Sequence, residues 1–185
     1  AIAKPISESI TDNQNIKRAY FASGCFWCVE AIYESVKGVE ESISGYSGGH
    51  TENPTYESSN TGTTGHAEAV EIYYDPNVVD FATLVDVYFG SQNITQVNGQ
   101  GPDRGSQYRS IIFYQNEEEK AIYNFLFNEG YTESAEVFVF NRSLKYVEAE
   151  EYNLNRTDEN SCITEKTKIQ KYYNLDQIKY EETVQ

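Results

Sequence analysis

Methionine is missing altogether from these 185 residues, and cysteine appears only 3 times, proline 4 times and histidine 2 times. So few cysteines, unevenly spaced, exclude a disulfide framework and direct attention to cysteine chemistry. A chain without methionine offers an oxidant no thioether to attack. No apolar run approaches the ~20 residues of a membrane span, and mean hydropathy is −0.62, so a soluble protein is expected. Basic residues are scarce as well: 14 Lys and Arg face 29 Asp and Glu, a net charge of −15. Such a surface repels nucleic acid and anionic lipid, and neither is expected as a partner. The chain begins at Ala1. A removed secretory signal and a trimmed start both leave such a beginning, so the compartment stays open between cytoplasm and export.

Aromatic residues, by contrast, are plentiful, with 16 Tyr and 9 Phe. The length suits one domain with a core of its own, and a monomer is expected. Residues 1–15 are polar and aperiodic and read as a loosely held extension. One domain is expected over 16–185, with an irregular tail from about 148. Strands are predicted over 16–23, 39–46, 67–74, 108–114 and 135–140. Helices are predicted over about 26–36, 80–89 and 116–128, with Ser23 and Asp80 as caps. Glu30 is expected to favour the positive end of the first helix. Residues 47–65 and 90–107, rich in Gly, Asn, Ser and Gln, form two long loops of the kind that carry function. The order of elements implies an α+β fold, a two-layer sandwich of a mixed β-sheet with helices around a ferredoxin-like core.

Cys25 and Cys28 form a CxxC pair where the first strand gives way to the first helix. A thiol there meets unpaired backbone N–H groups and the positive helix end, which favours the nucleophilic thiolate. A disulfide oxidoreductase of the thioredoxin type uses such a pair, but no proline is placed to face it. A non-enzymatic peptide-binding module built on the aromatic pair Phe26–Trp27 is the other alternative. The two Gly-rich loops carry no phosphate or dinucleotide fingerprint. His50 and His66 read as ordinary loop residues, and no second close pair supports a zinc site.

The neighbours of Cys25 point further. GCFWCVE, GYSGGHTENPTYE, TGHAEAVEIYYDP and QGPDRGSQYRS occur in this order between Phe21 and Tyr114. Together they resemble peptide methionine sulfoxide reductase of the A class. The resemblance implies an enzyme that reduces the S epimer of methionine sulfoxide in proteins and peptides. It implies no bound cofactor or metal, and recycling by thioredoxin, or by dithiothreitol in vitro.

By the same resemblance Cys25 is the nucleophile and Glu68 the general acid. An ordinary Glu, with a pKa of ~4.3, is ionised at neutral pH, so this acid needs burial to keep its proton. Tyr56 and Tyr108 match the donors to the sulfoxide oxygen, and Asp103 a position that orders the site. Phe26 and Trp27 match the wall that receives the methyl group. Cys28 and Cys162 are the candidates to resolve a sulfenic acid on Cys25. Cys28 stands roughly 5–6 Å away if the turn is helical, while Cys162 aligns with a distal cysteine on the tail. Asn153-Leu154-Asn155 replaces the His-rich stretch that precedes that cysteine in the family.

Overall fold

The computed structural model describes residues 15–128, 136–139 and 146–149. The expected N-terminal extension and Cys162 lie outside the described residues. In chain order the first half runs β1 (Lys17–Ser23), α1 (Phe26–Glu34), β2 (Val39–Ser47), α2 (Tyr56–Asn60), β3 (Ala67–Tyr74) and α3 (Phe81–Ser91). Then follow β4 (Gly99–Gln100), β5 (Asp103–Arg104), a 3-10 turn (Ser106–Tyr108), β6 (Ser110–Tyr114), α4 (Glu117–Asn128), β7 (Glu136–Val139) and β8 (Val147–Glu148).

Six strands form one sheet in the order β7-β6-β1-β3-β2-β8. Neighbours are antiparallel except β6 and β7, which run parallel. The mixed sheet expected from the sequence is therefore present. Side chains alternate across it, as pleating requires. On one face Phe21, Val70, Ile72 and Ile112 join Phe26 and Tyr33 of α1 and Leu84 and Tyr88 of α3 in the main core. On the other, Tyr20, Ala22, Ala69 and Phe113 form a second cluster. Every residue of β3 is buried, as befits a central strand covered on both faces.

Phe21 stacks on Tyr33 with ring centroids 5.2 Å apart. Burying such a ring contributes about 1.5–3 kcal/mol. Two tyrosines also lock the helices through their hydroxyls: Tyr33 donates to the Leu84 carbonyl at 3.0 Å, and Tyr88 to the Ala22 carbonyl at 3.1 Å. The layers are thus tied by directional bonds as well as by packing.

Several sequence expectations need correction. The residue capping α1 is Cys25 itself, not Ser23, and the helix stops at Glu34. Glu30 lies beyond the first turn and accepts a hydrogen bond from the Ser44 hydroxyl of β2. Burial pushes its carboxyl above the usual range, so its role is to join helix and sheet. The long loop over 47–65 contains α2, because Thr55 and Ser58 cap it reciprocally: the Ser58 N–H donates to the Thr55 hydroxyl at 3.2 Å, and the Thr55 N–H to the Ser58 hydroxyl at 2.8 Å. Such a capping box stabilises even a short helix by about 1 kcal/mol. The loop over 90–107 holds the β4–β5 hairpin, and Tyr108 ends a 3-10 turn instead of opening a strand.

Candidate active site

At the end of β1 the chain turns sharply through Gly24, whose φ is +80°, and Cys25 follows as the cap of α1. No side chain fits at Gly24: a Cβ there would stand 2.5 Å from Cβ of Gln100. The Cys25 carbonyl accepts from Cys28 N–H at 3.1 Å and Val29 N–H at 3.3 Å, which closes the first turn. Its side chain is partly exposed. Cys28 is disulfide-bonded.

Glu68, in β3, is 2% exposed. Its carboxylate accepts the backbone N–H of Phe26 at 3.1 Å. That N–H is the first of α1, one of the donors a helix leaves unpaired. The carboxylate therefore sits at the same helix end that Cys25 caps, out of bulk water.

A cavity of about 370 Å³ opens here, and Cys25, Glu68, Tyr56, Tyr108, Asp103 and Trp27 all line it. Its size falls in the ~300–1,000 Å³ range of small-ligand sites. Cys28 reaches it as well. Burial first, then the nearness of Glu68, Tyr56, Asp103 and Cys25, holds the Tyr108 hydroxyl well above the ordinary phenol range. Tyr108 accordingly keeps its hydrogen and can donate a hydrogen bond.

Trp27 and Tyr56 stack with ring centroids 5.5 Å apart. Phe26 is fully buried, and its ring lies against Trp27, Tyr46 and Tyr56 at centroid distances of 5.2, 5.6 and 6.4 Å. It supports the aromatic wall from behind, while Trp27 and Tyr56 face the cavity.

The model of the family described as peptide methionine sulfoxide reductase matches residues 17–184. The chain belongs to this family.

A relative from Pasteurella multocida (strain Pm70), peptide methionine sulfoxide reductase MsrA, is 51% identical over 108 residues. That match takes in 58% of this chain and 62% of the relative, so the aligned region spans about three-fifths of the curated protein. Methionine sulfoxide reductase A of Corynebacterium diphtheriae superposes with a TM-score of 0.70 at 29% identity, covering 80% of this chain and 77% of that one. Mxr1 from Saccharomyces cerevisiae in reduced form gives a TM-score of 0.66 at 29% identity, covering 76% and 83%. The fold recurs in Mxr1 in complex with Trx2, at TM-score 0.51 and 18% identity, over 79% of this chain and 88% of that one.

Two further residues of this family member matter to the site, and the sequence reading passed over both. Gln100 roofs Gly24 and lines the cavity; its side chain accepts the Asn93 N–H at 3.0 Å and donates to Gln92 at 3.2 Å. A polar residue between two glycines was the available signal. His66, read as an ordinary loop residue, is instead 4% exposed and hydrogen-bonded through both ring nitrogens. Its place immediately before the strand that carries Glu68 was the signal.

Proposed function

We propose that this chain reduces methionine S-sulfoxide in proteins and peptides to methionine, with Cys25 as nucleophile and Glu68 as general acid. The observation that carries the reading is the Phe26–Glu68 bond, which holds a buried carboxyl group at the helix end that Cys25 caps, inside one aromatic-walled cavity.

The Cys25 thiolate attacks the sulfoxide sulfur while Glu68 gives its proton to the sulfoxide oxygen. The hydroxyls of Tyr56 and Tyr108 donate to that oxygen as charge develops, and Asp103 keeps their side of the cavity ordered. Trp27, backed by Phe26, receives the methyl group. Two electrons pass from Cys25 to the substrate sulfur. The oxygen ends on Cys25 as a sulfenic acid and methionine leaves.

Cys28 then attacks the Cys25 sulfur, the sulfenic oxygen departs as water after taking a proton, and a Cys25–Cys28 disulfide forms. Exchange of Cys162 into that bond frees Cys25 and carries the disulfide to the tail, where thioredoxin reduces it. The solved complex of Mxr1 with Trx2 supports thioredoxin as the reductant. The working unit is a monomer, and the cycle uses no bound cofactor.

Turnover of the separated R and S sulfoxides of a blocked methionine, with dithiothreitol, tests the proposal. Methionine should form from the S epimer alone. Activity on neither would discard it.

A further inference from the structure

His66 is a buried imidazole to which the reaction above gives no part. Nδ1 accepts the Gly49 N–H at 3.3 Å, and Nε2 lies 2.8 Å from the Thr51 carbonyl oxygen. A carbonyl only accepts, so Nε2 carries the hydrogen and Nδ1 does not. Both bonds exist together only for the neutral ring in this one tautomer. The contact is close: a Cβ on Gly49 would fall 2.4 Å from the ring, so the backbone over 48–51 lies directly on it.

Three pieces of the site meet at this point. The segment that His66 holds leads through Pro54 to the cap of α2, whose first residue is Tyr56. Two residues after His66, in β3, stands Glu68. The carbonyl of the preceding residue, Gly65, accepts from Arg109 at 3.0 Å, and the same guanidinium donates to the Ser106 carbonyl at 2.7 Å, in the turn that ends at Tyr108. The His50 N–H donates to the Thr64 carbonyl at 3.0 Å and doubles the seam.

We infer that neutral His66 is a positioning residue for the reductase reaction, clasping the 48–55 segment to β3 so that the Tyr56 hydroxyl meets the same substrate oxygen as Glu68. The inference rests on the function proposed above. Protonation undoes the clasp, because a hydrogen on Nδ1 would point at the Gly49 N–H. Among the charged groups around the ring, His50 on the clasped segment and Arg109 beside the 3-10 turn disfavour a positive charge on it, while Glu68, two residues on in β3, is acidic and of the opposite sense. Burial, the largest influence, lowers the His66 pKa below its usual value, and the Thr51 bond offsets part of that.

The test compares wild type, His66→Asn and His66→Phe in the full chain. Asparagine keeps an acceptor for Gly49 and does not titrate, whereas phenylalanine keeps the ring and loses both bonds. Single-turnover formation of methionine from the S sulfoxide should fall on the order of tenfold or more in His66→Phe with KM nearly unchanged. His66→Asn should recover most of it and should lose one ionisation from the acid limb of the pH profile. The limb due to Cys25, followed separately by thiolate absorbance, should remain in both variants. A second measurement needs no activity: nitrogen NMR should report the Nε2–H tautomer, and Gly49 amide protection should decline with the same midpoint as His66 titration. Full single-turnover rate in His66→Phe, loss confined to KM, or Gly49 protection indifferent to His66 titration would each overturn the inference. If the Phe variant does not fold, the Asn pH profile and the amide measurement decide alone. An inactive wild type with the Gly49–His66 linkage intact would instead refute the proposed function and leave the clasp standing.

Discussion

The first N–H of helix α1, on Phe26, donates to the carboxylate of Glu68, 42 positions further along the chain, at 3.1 Å. One bond thereby ties the end of the helix that Cys25 caps to the strand that carries Glu68. An amide side chain at 68 would still accept from Phe26 but would have no acidic proton to give. Glu68→Gln should therefore fold with a melting temperature close to wild type and lose about 10²–10⁴-fold in single-turnover methionine formation. A loss below threefold would remove Glu68 from the role of acid.

Tyr56 and Tyr108 approach the cavity from different elements, α2 and the 3-10 turn. If both donate to one oxygen, Tyr56→Phe and Tyr108→Phe should each slow the chemical step, and the double variant should be far worse than either. Rapid-quench measurement of methionine formation reads this directly. Changes confined to KM would mean that the hydroxyls only bind substrate.

For Cys28→Ser, the relay predicts a normal first burst of methionine followed by slow recycling with thioredoxin. Peptide mapping after one turnover should then find Cys25 still oxidised as a sulfenic acid or an adduct. A clean Cys25–Cys162 bond at the wild-type rate would take Cys28 out of the relay.

The tyrosines predict an alkaline limit to stability. Burial, assisted in part by nearby carboxylates such as Glu71 and Glu119, raises the hydroxyls of Tyr20, Tyr73 and Tyr88 beyond the usual range and that of Tyr74 to about 12. Unfolded tyrosine releases its proton near pH ~10. Above that pH the unfolded chain binds fewer protons than the folded one, so stability falls as pH rises. Thermal melts should drop steeply from about pH 10 upward, and phenolate absorbance should rise for these rings only as the fold is lost. Early, reversible titration of all tyrosines in folded protein would contradict the burial pattern.

Much of this was readable from residues alone, and the failures have identifiable causes. Strands such as Ala67–Tyr74 announced themselves by β-branched and aromatic content bounded by Asp75-Pro76, and helix Phe81–Ser91 by the cap Asp80, whose side chain accepts from the Thr83 N–H at 2.8 Å. Helix Tyr56–Asn60 stayed hidden because five residues are too few for any periodicity, and only the Thr55–Ser58 cap marks it. The place of Cys25 at a helix end followed from local sequence. The burial of Glu68 did not, since it depends on α1 and the aromatic wall, which arrive from elsewhere in the chain. His66 was misread for a related reason: what distinguishes it from a surface histidine is a backbone segment 15–17 residues earlier that folds onto it.

No single stretch of chain owns the candidate site: Cys25 comes from the strand-to-helix elbow, Glu68 from β3, and Tyr56 and Tyr108 from a short helix and a turn on opposite sides of that strand in sequence. In a nascent or half-folded chain Cys25 accordingly lacks the neighbours that line the cavity with it. On the function proposed above, repair capacity would arise only when these distant pieces of chain have met, late in folding.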